Sequence, residues 1–286
     1  MTTGPNSTFH ADAAGARATM VLRDRVDPWQ VAALHATLGR PGPAPAEGEA
    51  LPPLWHFILF REARPRAELG RDGHPKLGGF IPDFGLPRRM WAGGRLRFHA
   101  PLKLGQEATR TSTILDTALK DGRSGRLAFV TLLHRVEGPD GLAVEEEQDL
   151  VYREEHDPNG PPPPKAPDAP AGGEWMTEMT ADPTLLFRYS ALTFNGHRIH
   201  YDLAHATKTE GYGGLVVHGP MLAQLMADLA RECSGRALAE FSFRGVSPVI
   251  HTQPFEVCGA PEGDGAKLWI RAPGGRLAMK GEARFA

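Results

Sequence analysis

The chain has 286 residues, 41% hydrophobic and 23% charged, enough for one large domain or two modest ones with real cores. Its 32 basic and 34 acidic residues leave a net charge of -2, so there is no basic footprint for nucleic acid. Two cysteines, Cys233 and Cys258, make no disulfide framework, and no apolar run reaches the roughly 18 residues of a membrane helix. A soluble protein of the cytoplasm, with no nucleic-acid or membrane partner, is the expectation.

Residues 1–20 carry no basic stretch followed by an apolar one, so they read as a disordered tail, not a secretory signal. The first folded half, 21–155, opens with a helix over 28–38. Asp27 caps it, Pro28 takes the first position, and Trp29, Ala33 and Leu34 are spaced for one face. Strands follow at 94–99, 107–115, 126–136 and 144–152, the third holding a near-continuous apolar run bounded by Gly122, Gly125 and Gly138. Between 156 and 173, Pro158, the prolines of 161–164, Pro167 and Pro170 fix φ repeatedly and remove donors, which predicts an extended, semi-rigid connector. The second half, 174–286, starts with a short helix opened by Asp182-Pro183. A helix over 220–233 follows, with Leu222, Leu225, Met226 and Leu229 as an apolar stripe, between Gly219-Pro220 and Ser234-Gly235. Strands at 239–244, 254–258, 267–271 and 277–285 close the chain. With so few helices between strands, the class is α+β, not doubly wound α/β.

The central connector suggests a duplication. Arg97-Phe-His-Ala-Pro101 followed by Gln106 reads against Arg244-Gly-Val-Ser-Pro248 followed by Gln253, at a constant offset of 147. Gly125-Arg-Leu-Ala128 reads against Gly275-Arg-Leu-Ala278, at an offset of 150.

One stretch stands apart: Phe194-Asn-Gly-His-Arg-Ile-His-Tyr-Asp202, then Glu210-Gly-Tyr-Gly-Gly-Leu-Val-Val-His-Gly-Pro220. His197, His200, His205 and His218 all fall in it. It reads as a polar loop with structural histidines, as a metal site, or as a reaction loop. Against metal, no cysteine lies nearby, and His197 and His200 are not spaced for one helix face. For reaction, the Gly219 N–H would sit at the positive end of a helix, preorganised for a developing oxyanion.

The same stretch resembles the hydratase motif of the MaoC-like, hot-dog-fold (R)-specific enoyl-CoA hydratases and hydroxyacyl-thioester dehydratases. That motif, Asp-x-Asn-Pro-x-His-x-Asp, is followed about twenty residues later by a His-Gly that begins the central helix. The resemblance puts the catalytic histidine on His200, the trailing aspartate on Asp202 and the His-Gly on His218-Gly219. The catalytic aspartate falls on Asn195 and the Asn-Pro pair on His197-Arg198, two departures. Those departures look like the double-hot-dog hydratases typified by mesaconyl-C4-CoA and itaconyl-CoA hydratases, and the mitochondrial type-2 dehydratases are similar. Pro52-Pro-Leu-Trp55, Gly78-Gly-Phe80, 86–94 and Gly122-Arg-Ser-Gly125 resemble the N-terminal hot dog of that group.

The resemblance implies a double hot dog, a long antiparallel sheet wrapped around central helices, with a degenerate first half shaping the acyl and CoA pocket. At the repeat offset His200 maps to Pro53, and nearby His56 has Leu51 five residues earlier, so one active site per chain is expected. It implies a lyase that hydrates an enoyl-CoA or dehydrates the 3-hydroxyacyl-CoA, with His200 as base, Asn195 positioning water and Gly219 as oxyanion donor. Asp202 would orient the loop. Arg198, Arg88, Arg89, Trp91 and His218 are candidates for holding the acyl group or CoA, a dicarboxylic acyl group offering guanidinium a carboxylate. No cofactor or metal is implied, since CoA belongs to the substrate. Monomer and homodimer both stay open. A hot-dog thioesterase, for which the loop offers only Asp202 and Glu210 as carboxylates, and a weakly catalytic acyl-CoA-binding protein are the alternatives.

Overall fold

A computed structural model describes residues 7–10, 18–122, 125–160 and 164–286. These fall into two compact units. The first takes the described residues up to Met90, with Phe98–Glu155 and Tyr189–His197; the second takes Trp91–Arg97, His156–Arg188 and Arg198–Ala286. Among the described residues, no helix is long and apolar enough to cross a membrane.

The first unit holds β1 (Ser7–His10), β2 (Thr19–Arg25), α1 (Pro28–Thr37), β4 (Glu107–Gly122), β5 (Gly125–Gly138) and β6 (Gly141–Arg153), β3 being the strand Arg88–Phe98. Its sheet is antiparallel in the order β1-β2-β4-β5-β6. Of the stretch 1–20, read as a loose tail, 7–10 thus forms β1; 1–6 and 11–17 lie outside the described residues. So do 123–124, within the Gly122–Gly125 motif, and 161–163 of the proline run. The Asp27 carboxylate accepts from the Trp29 N–H at 3.0 Å and starts α1 as its sequence predicts. Val31 and Leu34 are the buried face, whereas Trp29 is 71% exposed, a correction to its inward placement. The sheet's inner face carries a polar row, Ser112, His134 and Glu146 lying opposite one another on β4, β5 and β6. The Ser112 hydroxyl bonds His134 Nδ1 at 2.7 Å, His134 Nε2 meets Gln148 Oε1 at 3.2 Å, and Glu146 lies 3.5 Å from His56 Nε2. All five side chains are buried.

The second unit holds β7 (Trp175–Thr180), α3 (Gly219–Ser234), β8 (Leu238–Gly245), β9 (Pro254–Glu262), β10 (Gly265–Ala272) and β11 (Arg276–Phe285), with the first turns of α2 (Pro183–Thr193). Its strands run β3-β8-β11-β10-β9-β7. α3 packs on β7 through β11. Every residue from Met221 to Ala230 is buried, so the helix is core all round and not on one stripe. Burying each large apolar side chain here contributes roughly 1.5–3 kcal/mol. Gly235, at φ 66, ends the helix with its N–H on the Arg231 carbonyl. The described part of the connector lies along this unit: Leu277 donates to the Pro167 carbonyl at 2.9 Å, and the Arg271 guanidinium to Pro170 and Gly172.

The orders β2-β4-β5-β6 and β7-β9-β10-β11 are the same topology twice, the repeat of a double hot dog. The offset of 147 holds at β3 against β8 and at the starts of β4 and β9. The second match does not: Gly125–Ala128 opens β5, whereas Gly275–Ala278 leads into β11, a different strand of the repeat. β4 has 16 residues against 9 in β9, so no constant offset survives past it. The two units differ in their helices. The stretch 72–87, offset counterpart of α3, is turn and bend, because Gly73, Pro75, Gly78, Gly79, Pro82, Gly85 and Pro87 interrupt it. Only the second unit has a long helix in that place among the described residues.

Candidate active site

In the second unit, Arg198–His200 makes a single 3-10 turn. The turn is fixed by the Val216 N–H, which donates to the Ile199 carbonyl at 3.0 Å. Val216 in turn bridges to Ile250. The Val216 carbonyl lies 2.7 Å from His200 Nδ1. A carbonyl can only accept, so Nδ1 carries the proton and Nε2 the lone pair, the tautomer a general base needs. The His218 ring stacks on His200, centroids 3.7 Å apart and planes 19° apart. His218 is fully buried; burial first, and the charge His200 can carry second, hold it well below the usual imidazole range. It therefore stays neutral and supports the His200 ring.

Gly219 opens α3 directly after His218, where the first N–H groups have no partner within the helix. A Cβ built there would lie 3.9 Å from the Trp91 carbonyl and 4.0 Å from Met279 Cε, ordinary contacts. The protein's own packing does not demand glycine at this position. Trp91 spends its indole N–H on the Gly93 carbonyl at 3.0 Å and leans on Phe243, so it serves the strand. Asp202 accepts from the His205 N–H at 3.0 Å and from Arg198 at 3.1 and 2.7 Å. Those bonds, the backbone one first, hold its carboxyl below the usual range. Arg198 thereby spends Nε and Nη2 on the loop. His205 and Glu210, both buried, face each other at 3.7 Å.

Asn195 belongs to the first unit, five residues along the chain from His200. Phe194, at φ 52, ends α2; the Asn195 N–H then donates to the Ser190 carbonyl at 2.8 Å, and Asn195 Oδ1 accepts from the His197 N–H at 3.0 Å. Its amide NH2 remains to donate to a ligand or water. The next residue, Gly196, sits where a Cβ would come 2.7 Å from the Gly73 carbonyl, so only glycine lets these two loops close. The 72–74 loop brings a group that sequence reasoning missed. Asp72 receives both His74 Nδ1, at 2.9 Å, and the His74 N–H, at 3.1 Å, and the His74 ring lies 4.4 Å from that of His197. Arg89 bears on Asp72, His74 and Tyr152 through its charge. Arg88 precedes it on β3. An Asp-Gly-His-Pro sequence inside a loop rich in glycine and proline was the available signal.

The hydroxyacyl-thioester dehydratase type 2 family matches residues 54–251. A mesaconyl-C(4)-CoA hydratase of Chloroflexus aurantiacus is 47% identical over 252 residues, covering 87% of this chain and 89% of the relative. Among solved structures, a MaoC-like dehydratase from Phytophthora capsici superposes with a TM-score of 0.68 at 14% identity, over 94% of this chain and 95% of that one. A conserved hypothetical protein of Mycobacterium tuberculosis, described as a double hotdog fold, gives 0.55 at 13%, over 92% and 94%. The structural likenesses carry the fold.

Proposed function

The chain belongs to the hydroxyacyl-thioester dehydratase type 2 family, and from that membership we propose a hydro-lyase that interconverts an enoyl-CoA and its 3-hydroxyacyl-CoA, with mesaconyl-C4-CoA as the first substrate to test. His200 Nε2 takes a proton from water, and the resulting hydroxide adds to the β-carbon of the enoyl thioester. The electron pair of the double bond moves to the thioester oxygen, where the Gly219 N–H meets it. The His200 imidazolium then returns its proton to the α-carbon, so one water is consumed and no acid is left over. The Asn195 NH2 would hold the water, an amide being able to hydrogen-bond but not to titrate. Asp202 and Arg198 would keep the loop in shape. CoA arrives with the substrate, and the chemistry calls for no further cofactor.

The observation that carries this reading is the 2.7 Å contact of His200 Nδ1 with the Val216 carbonyl, which makes Nε2 the basic nitrogen. The test is loss of enoyl absorbance over a panel of enoyl-CoAs, with free thiol followed in parallel. Hydration without thiol release supports the reading; thiol release without hydration would make the protein a thioesterase.

A further inference from the structure

Tyr152, next to the end of β6, is fully buried, 1% exposed, and its hydroxyl has no hydrogen-bond partner among the described residues. A buried hydroxyl without a partner is costly, and its place in a native fold asks for an explanation. Burial raises its pKa, so the hydroxyl keeps its proton and can donate. β3 lies beside β6, and Arg153, the residue after Tyr152, donates to the Met90 sulfur, the residue after Arg89, at 3.8 Å, so Tyr152 and Arg89 stand on adjoining strands; the charges of Arg89 and Asp72 both act on the hydroxyl. The Asp72 carboxylate is already engaged by the side chain and the backbone of His74, at 2.9 and 3.1 Å. Arg89 makes no hydrogen bond or ion pair with the described residues, although it is half-buried on β3. The Arg89 guanidinium and the Tyr152 hydroxyl, on adjoining strands, thus have no hydrogen-bond partner among the described residues.

Asp72, His74 and His197 also bring ligand-type atoms within 4.8 Å of one another, a spacing suited to a metal ion. The positive charge of Arg89 beside them opposes a cation and favours an anion. Of the other two arginines considered, Arg198 is bound to Asp202 and Arg88 is already partnered.

We infer that Arg89 and Tyr152 form the seat for the free carboxylate of a short dicarboxylic acyl thioester, with the Asp72–His74 pair positioning them. This rests on the hydro-lyase reading for its substrate and names what selects it. Arg89 would grip the carboxylate, and the Tyr152 hydroxyl would donate to one of its oxygens. His74, with its proton on Nδ1 toward Asp72, presents an acceptor and is a positioning residue, not a third donor.

Binding of succinyl-CoA and butyryl-CoA, equal in chain length and differing in the carboxylate, tests the seat on the whole chain without turnover. The native protein should prefer succinyl-CoA by roughly tenfold or more, the worth of charge-assisted hydrogen bonds. Arg89→Gln should bring the two affinities within about threefold, and Tyr152→Phe should cut the preference by roughly three- to tenfold. Tyr152→Phe should keep full thermal stability, because it removes only an unpartnered group. Equal affinities in the native protein, or a preference that survives Arg89→Gln, overturn the proposal. So does an equal weakening of both ligands, which would put a CoA phosphate at Arg89. Hydration is scored separately: a carboxylate preference in a protein that hydrates no enoyl-CoA would sink the hydro-lyase reading and leave the seat standing.

Discussion

The Val216 carbonyl chooses the tautomer of His200, and the neutral His218 ring beneath it holds the plane. At Gly219 the nearest protein atom to a new Cβ is 3.9 Å away, so Gly219→Ala should fold as the native chain does. If the glycine serves the approach of a thioester oxygen, kcat should fall by roughly 10²–10³, the usual loss for one oxyanion donor. A Gly219→Ala enzyme with native kcat would place the oxyanion elsewhere. Asn195 makes a second test. In Asn195→Asp a carboxylate oxygen still accepts the His197 N–H, so the turn survives, but the group can now titrate. The dependence of kcat/KM on pH, measured from about pH 5 to 10, should gain an ionisation that the native enzyme lacks. An unchanged profile would remove Asn195 from the water. The histidine-rich loop and Gly219-Pro220 were legible because the chemistry is written in consecutive residues. Tyr152 was not, since what marks it is burial and an absent partner, which no linear pattern records, and Asp72 carried only the weak signal of Asp-Gly-His-Pro.

At the scale of elements, the contact between Gly196 and Gly73 joins a loop after α2 to one before β3. Gly196→Ala forces a methyl against backbone at 2.7 Å, where no side chain can yield. It should leave thermal unfolding nearly native but lower kcat/KM by more than tenfold (about 1.4 kcal/mol or more), because Asn195 and His197 move with the loop. Native kcat/KM in this variant would show that the loop register is immaterial. The helices with a proline start and a glycine stop, α1 and α3, were readable from capping signals alone, as was β5 from its apolar run. β3 begins six residues before its predicted start, since Gly93 and Gly94 look like a break. In the sheet Gly93 is what lets β8 approach, a Cβ there lying 2.6 Å from the Phe243 carbonyl. β7 carries no alternation because most of it is exposed, and β2 was hidden by its charged residues.

For the molecule as a whole, the polar row of the first unit sets the response to acid. Burial above all, then the charge of Arg110, pushes His134 down to about 4. A folded value below the unfolded one means that protonation favours unfolding. Its contribution is complete above roughly pH 6.5 and is lost as the pH falls to about 4, amounting to about 3 kcal/mol. His74 and His218, also lowered, act with the same sign. Resistance to urea should therefore fall steadily as the pH drops between those limits, and His134→Gln should flatten the slope; equal slopes in both proteins would contradict the assignment. The duplication was visible from the sequence where β3 and β4 repeat as β8 and β9. That 72–87 forms no long helix follows from the glycines and prolines of the stretch. The proposed chemistry depends above all on His200 as the base of a hydro-lyase. Its most direct test is the rate of mesaconyl-C4-CoA hydration by the native enzyme and by His200→Gln, with unfolding measured on both. The expected result is hydration by the native enzyme, a kcat lower by roughly 10²–10⁴ in the variant, and comparable stability. A His200→Gln protein that is folded and hydrates at the native rate would contradict it.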